Sequence, residues 1–124
     1  MNDAAQVIEL LPPVYTEEAL ALRFAERHQG DLRYVDAWKR WLHFDGVCWR
    51  RDDTLLAFDR ARRMCRDAAA ESNKKAAKNL ASAKTVTAVD RLAKADRRLA
   101  ATVAQWDADG WLLNTGDDYG SCNV

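Results

Sequence analysis

The sequence contains few residues that interrupt regular structure and no long apolar run. Only 5 of its 124 residues are Gly and 2 are Pro, whereas 22 are Ala, the strongest helix former. None of its apolar runs approaches the ~20 residues that a membrane-spanning helix needs. The 3 cysteines are odd in number and far apart, which fits neither a disulfide framework nor a C-x-x-C motif. This composition favours one small, mainly helical domain in a reducing cytoplasm.

The motifs of common nucleotide-binding and metal enzymes are absent as well. The sequence has no G-x-x-x-x-G-K-S/T phosphate loop, no G-x-G-x-x-G turn and no G-x-S-x-G elbow. His28 and His43 lie outside any H-E-x-x-H context, so we expect no zinc site. Asp107 and Asp109 could hold Mg²⁺, but a capping or turn role is favoured. His43 and Cys48 could form a base–thiol pair, but simple cross-strand packing is favoured. We therefore expect no enzymatic activity, no metal and no cofactor.

Charge is balanced over the whole chain but unevenly distributed along it. The totals are 19 Lys+Arg and 19 Asp+Glu. Residues 60–98 nevertheless hold 12 cations and 4 acids, whereas residues 101–124 hold no cation and 4 acids. Such asymmetry indicates a partner with phosphates or an acidic protein surface. A solvated helix face, with acids and cations paired four residues apart, is the alternative.

The apolar spacing predicts a predominantly helical α+β fold with four to five helices and a small antiparallel sheet. We expect a flexible arm over 1–13, one helical domain with a β-hairpin over 14–106, and a largely irregular acidic tail over 107–124. A strand over 32–35 would add a third strand to the hairpin. The predicted helices run from Thr16 as N-cap to His28, and over about 54–71, 74–83, 85–94 and 96–104, the last capped by Asp96.

The hairpin is predicted over residues 38–51, WKRWLHFDGVCWRR, because Asp45-Gly46 is a strong signal for a two-residue type I′ turn. In that register Trp41 lies opposite Arg50. Facing residues share a side of the sheet. The apolar face expected to pack on the helices then consists of Leu42, Phe44, Val47 and Trp49, and the outward face of Trp41, His43, Cys48 and Arg50.

Two surfaces are candidates for binding nucleic acid. On the outward hairpin face, Trp41 beside Arg50 could stack on bases. The favoured alternative is a Trp41–Arg50 cation–π pair that only stabilises the sheet, or a Trp41 covered by the N-terminal helix. The second surface is basic and helical, and it would neutralise phosphates without reading sequence or would fit an acidic protein equally well. Its members are Arg60, Arg62, Arg63, Arg66, Lys74, Lys75 and Lys78.

The hairpin region resembles a known protein family. Residues 38–54, WKRWLHFDGVCWRRDDT, contain a W-x-x-W-x-x-x-D-G-x-x-W pattern. This pattern resembles a segment near the start of the helicase half of phage and plasmid primase–helicases, the group that includes satellite-phage and poxvirus replication proteins. The resemblance continues through residues 55–71 and 81–115, and it covers about 16–115.

The resemblance implies an accessory module between a priming domain and a superfamily 3 helicase, with no catalytic residues to carry over. Such proteins usually continue after WLLNT to a D-L-x-T-G segment and the phosphate loop, whereas this chain reads GDDYG and ends at Val124. We therefore expect a module truncated before the motor, acting in the cytoplasm of a bacterial host cell.

Three functions are compatible with a motor-less module of a mobile element. The first is binding of DNA or a nucleoprotein complex through the basic helices. The second is a stand-alone phage inhibitor of a host defence nucleoprotein, such as a CRISPR effector, acting by protein–protein binding. The third is a remnant without function. The oligomeric state is left open.

Overall fold

A computed structural model describes residues 15–108, and the side chains of residues 15–105. This part of the chain contains five helices and four strands, which confirms the predominantly helical α+β class. The predicted arm over 1–13, Asp109 and the tail beyond residue 108 lie outside these residues, and the side chain of Asp107 is not among those described, so the Mg²⁺ alternative stays a prediction. In chain order the elements are α1 (Glu17–His28), β1 (Leu32–Val35), a 3₁₀ turn (Asp36–Trp38), β2 (Arg40–Phe44), β3 (Trp49–Arg51), α2 (Leu56–Ala70), α3 (Lys74–Leu80), α4 (Ala83–Ala93), β4 (Ala100–Ala101) and α5 (Val103–Ala108).

The strands form one sheet in the order β3-β2-β1-β4. β1, β2 and β3 pair antiparallel as predicted, and β4 adds a parallel edge strand beside β1. The prediction of a helix over 96–104 is therefore wrong. Leu99 is fully buried, and its carbonyl accepts a 2.8 Å hydrogen bond from the amide of Tyr34, so the following residues lie along β1. Burial of Leu99 overrides the helix propensity of the adjacent alanines.

The hairpin loop is longer than predicted. Phe44 lies opposite Trp49, and His43 lies opposite Arg50, so four residues rather than two connect the strands. His43 therefore does not face Cys48, and both the base–thiol pair and the cross-strand packing of these two residues are wrong. Because the pairing moves by two positions, each strand residue changes its cross-strand partner but still shares a face with the residues predicted for that face.

Asp45 explains the wider loop. Its Oδ1 accepts hydrogen bonds from the backbone amides of Val47 (2.8 Å) and Cys48 (2.9 Å). Its Oδ2 lies 2.5 Å from Nε of Arg50. The ion pair with Arg50, followed by the two amides, holds the pKa of Asp45 far below its ordinary value. Gly46 supplies a positive φ of 100°, which the turn requires.

The helices pack on the opposite face of the sheet from the predicted one. Leu32, Tyr34 and Trp41 join the main core with residues of α1, α2 and α4. Trp41 is 7% exposed, so its predicted outward position is wrong. Both faces carry large apolar side chains, and alternation alone shows which residues share a face, not which face the helices cover. The other face carries a smaller cluster built on Val35, Leu42 and Trp49.

Side chains define where the helices begin. Thr16 caps α1 as predicted, with its hydroxyl 3.0 Å from the amide of Ala19. Asp52, rather than an adjacent residue, accepts hydrogen bonds from the amides of Leu56 (2.8 Å) and Ala57 (2.9 Å) at the start of α2. Leu55, which lies between Asp52 and Leu56 in the sequence, has a left-handed φ of 60°, and its side chain is 73% exposed.

Candidate nucleic-acid interface

The structure separates the two residues of the hairpin candidate, Trp41 and Arg50. The indole Nε1 of Trp41 donates a 3.1 Å hydrogen bond to Asp90, and its ring makes edge contacts with Tyr34 and Phe24 at centroid distances of 5.1 and 6.3 Å. Arg50 instead pairs with the loop carboxylate described above. A tryptophan buried in this way offers no free face to a base, and the Trp41–Arg50 cation–π pair is not formed.

The basic helical surface is defined as Arg60, Arg62, Arg63, Arg66, Lys74, Lys75 and Lys78, as predicted from the sequence. Three of its arginines are ion-paired in the structure. Arg60 lies 3.3 Å from Asp31, and Asp59 lies 3.4 Å from Arg62 and 3.0 Å from Arg63. These pairs are partly or well exposed, so each contributes little stability, and each reduces the net positive charge of α2.

The other four members have no ion pair among the described side chains. Arg66 on α2 and Lys74, Lys75 and Lys78 on α3 are all exposed. Glu71, which stands four residues before Lys75, accepts a hydrogen bond from the hydroxyl of Tyr15 and forms no ion pair with Lys75.

The position of two of these lysines adds a second observation. Lys74 and Lys75 occupy the first turn of α3, which contains no acidic residue. The positive end of the helix dipole disfavours cations at this position. Asn73 begins the helix by accepting a 2.8 Å hydrogen bond from the amide of Ala76. The charges of Lys74 and Lys75 are therefore neither neutralised by a described side chain nor favoured by the helix dipole, whereas Lys78 lies in the last turn, where the dipole favours a cation.

A second basic region, which the sequence analysis did not single out as a binding surface, borders β4. Two clefts of about 640 and 290 Å³ flank the β4 edge, one beside Tyr34 and the other beside Arg33 and Trp49, and they share Arg97, Ala100 and Ala101 in their walls. We call this region the β4 groove. Its cations come from three separate parts of the chain, and only the fold brings them together. They are Arg33, Lys39, Arg91, Lys94, Arg97 and Arg98.

Comparison with known proteins assigns the chain to a family. Residues 21–119 match the family described as D5 N terminal like, the N-terminal domain of D5-like primase–helicases. The chain belongs to this family. No curated protein and no solved structure matches it. Membership confirms the resemblance to a primase–helicase N-terminal module.

Both basic regions of this D5 N-terminal-like chain lie within the matched residues. The match assigns no binding role to any of them, so the basic helical surface and the cytoplasmic location stay predictions. Among residues 15–108, no helix is long and apolar enough to cross a membrane.

Proposed function

We propose that this D5 N-terminal-like chain is a non-catalytic protein of a phage or plasmid, derived from a replication primase–helicase of the satellite-phage and poxvirus type. It binds DNA, alone or in a nucleoprotein complex, through the basic helical surface. The observation that carries the proposal is the group of four exposed cations, Arg66, Lys74, Lys75 and Lys78, without ion pairs among the described side chains.

The affinity of these cations for DNA depends on the ions that binding releases. Lysines and arginines that already pair with carboxylates gain little from a phosphate, because one ion pair replaces another. Unpaired cations neutralise phosphates and release condensed counterions from the DNA, which is the main source of sequence-independent affinity. The two lysines in the first turn of α3 also gain relief from the helix dipole when an anion lies beside them.

The non-catalytic part of the proposal rests on the sequence. The phosphate-loop motif of the helicase motor does not occur in the 124 residues. A module of this kind would bring DNA or a nucleoprotein complex to other replication components without turning over a substrate of its own.

The test is a titration of fluorescently labelled duplex DNA, followed by anisotropy, with three forms of the protein. The first is the wild type, and the second is the helical-surface variant, Arg66→Glu with Lys78→Glu. The third is a control with the same change in net charge, Arg51→Glu with Lys84→Glu, at exposed positions outside the basic helical surface. We expect the helical-surface variant to lose about tenfold or more in affinity and the control to lose much less. Equal affinity of all three forms would exclude this surface.

A second candidate is a stand-alone phage inhibitor of a host defence nucleoprotein, of the anti-CRISPR type, acting by protein–protein binding. The observation that favours it is the exposure of large apolar side chains: Leu55 is 73% exposed and Val47 78% exposed. Apolar side chains of this kind can anchor a protein interface. A pull-down from host lysate, divided into nuclease-treated and untreated halves, separates the two functions. A partner retained after nuclease favours the inhibitor, and nucleic acid lost after nuclease favours DNA binding.

A further inference from the structure

We infer that the β4 groove binds the sugar–phosphate backbone of a single nucleic-acid strand. The groove shares no residue with the basic helical surface, so this inference goes beyond the proposed function and does not depend on it. Three of its six cations are neutralised by carboxylates: Lys39 by Asp36 (2.9 Å), Lys94 by Asp90 (3.3 Å) and Arg98 by Asp96 (2.9 Å). The remaining three are Arg33, Arg91 and Arg97.

Arg33 is held in place by neutral groups. Its Nη1 donates to the carbonyl oxygens of Gln29 (2.5 Å) and Leu32 (2.8 Å). Its guanidinium lies 5.5 Å from the ring centroid of Trp49. No carboxylate among the described side chains forms an ion pair with it. Burial lowers the pKa of Arg33, but an arginine stays protonated near pH 7. The result is a half-buried positive charge without a direct ion pair among the described side chains, although Asp31 is close enough to stabilise it electrostatically.

Arg97 is positioned in the same manner, at the junction of the two clefts. Its Nε and Nη2 donate to the carbonyl of Ala95 at 3.0 and 2.7 Å. Like Arg33, it has no carboxylate partner among the described side chains, and the same holds for the exposed Arg91. Guanidinium groups oriented by carbonyls keep N–H donors and their full charge for a phosphate, which they recognise well.

The shape of the groove favours one strand over a duplex or a single nucleotide. Two adjoining clefts with a shared arginine suit successive phosphates, whereas a free nucleotide would need only one of them. The shared wall contains Ala100 and Ala101, whose small side chains allow a backbone to approach closely. A ligand that follows both clefts must turn around the β4 edge, between the cleft beside Tyr34 and the cleft beside Arg33, which a flexible single strand does more easily than a stiff duplex. A positive groove of this kind follows a strand without regard to sequence.

The aromatic residues of the groove limit how the bases contribute. Tyr34 is 6% exposed and Trp49 9% exposed, and Trp49 is covered by the guanidinium of Arg33. Neither ring offers a free face for base stacking. Binding should therefore depend on the phosphates, with a strong salt dependence and similar affinity for different base compositions.

The test uses the full chain and a labelled single strand of oligo-dT, ~20 nucleotides long, which exceeds the site size of typical single-strand binding modules. The groove variant is Arg91→Glu with Arg97→Glu, and the control is again Arg51→Glu with Lys84→Glu, which line neither cleft. We expect the groove variant to bind the single strand about tenfold more weakly than the wild type and the control, and to bind duplex DNA unchanged. Urea unfolding verifies that each variant is folded.

Four results would overturn the inference. They are no binding of oligo-dT by the wild type, equal binding by the groove variant, equal losses in the groove variant and the control, and displacement of the strand by micromolar tripolyphosphate. The last result would identify a site for free polyphosphate instead. The helical-surface variant separates a failure of this inference from a failure of the proposed function. Its loss of duplex binding tests the basic helical surface, whereas its binding of the single strand should stay unchanged.

Discussion

The helix-covered face of the sheet carries Leu32, Tyr34 and Trp41 and joins the main core, whereas the opposite face carries Arg33 and Trp49 beside a much smaller apolar cluster. The two tryptophans are almost equally buried, at 7% and 9% exposure. Their surroundings differ: Trp41 lies among the rings of the core, whereas Trp49 contacts the ring of Phe44 at 5.4 Å and lies beneath the Arg33 guanidinium, which has no ion pair among the described side chains. A similar exposed fraction therefore accompanies two different roles, packing on one face and the placement of charge on the other.

The largest expected effect is on the covered face. Trp41→Ala should lower the free energy of unfolding by about 3–5 kcal/mol, because it opens a cavity between the sheet and the helices. It also removes the hydrogen-bond donor for Asp90. Trp49→Ala should cost less, since its smaller cluster at the edge of the fold can collapse more fully. Urea unfolding of both variants measures the difference. A greater loss for Trp49→Ala would reverse the comparison.

A smaller effect, dependent on pH, is expected at His28 on the covered side. Burial of the ring, which packs 4.7 Å from Phe24, lowers the pKa of His28 below its ordinary value of 6.5, against the opposing effect of Asp31. The unfolded chain then binds the proton more readily, so the free energy of unfolding should fall as the pH drops below 6.5.

Unfolding in urea between pH 7.5 and 5.5 measures this dependence. His28→Leu should flatten it, whereas the matched variant His43→Leu should keep it because His28 is retained. If His28→Leu leaves the slope with pH unchanged, the buried histidine is not its source.

The smallest effect on stability is expected on the open face. Arg33→Met keeps a long apolar stem over Trp49 and removes only the charge and two hydrogen bonds to partly accessible carbonyls. We expect a loss of about 1 kcal/mol or less in stability and a clear loss of affinity for single-stranded oligo-dT. A large loss of stability with unchanged binding would mean that Arg33 stabilises the fold by packing, as the residues of the helix-covered face do, and does not bind the strand.

Local features were predictable from the sequence because their causes are local. The cap at Thr16 and the ion pairs of Asp59 with Arg63 and of Asp90 with Lys94 depend on residues three or four positions apart. The existence of α1 to α4 followed from local sequence signals, whereas the predicted helix over 96–104 was wrong and α5 was not predicted. Leu55 has the sequence spacing of the apolar stripe of α2, but its side chain is exposed. The reason is that the cap by Asp52 starts the helix at Leu56, which leaves Leu55 outside the helix.

Features that depend on distant parts of the chain were not predictable in this way. β4 exists because Leu99 is buried beside β1, and its two alanines alone favour a helix. The β4 groove combines Arg33 with cations more than fifty residues away, including Arg97, so no window of sequence contains it. The basic helical surface was found because its charges are contiguous, although the sequence could not show that Asp31 neutralises one of them.

The most direct test of the central claim is the salt dependence of duplex binding by the wild type and the helical-surface variant, Arg66→Glu with Lys78→Glu. The logarithm of the binding constant should fall linearly with the logarithm of the salt concentration for the wild type. If both residues contact phosphates, the slope for the variant should be shallower by about 1.8, at about 0.9 for each phosphate contact. Equal slopes for the two proteins, or no binding by the wild type at low salt, would contradict the claim that α2 and α3 bind DNA.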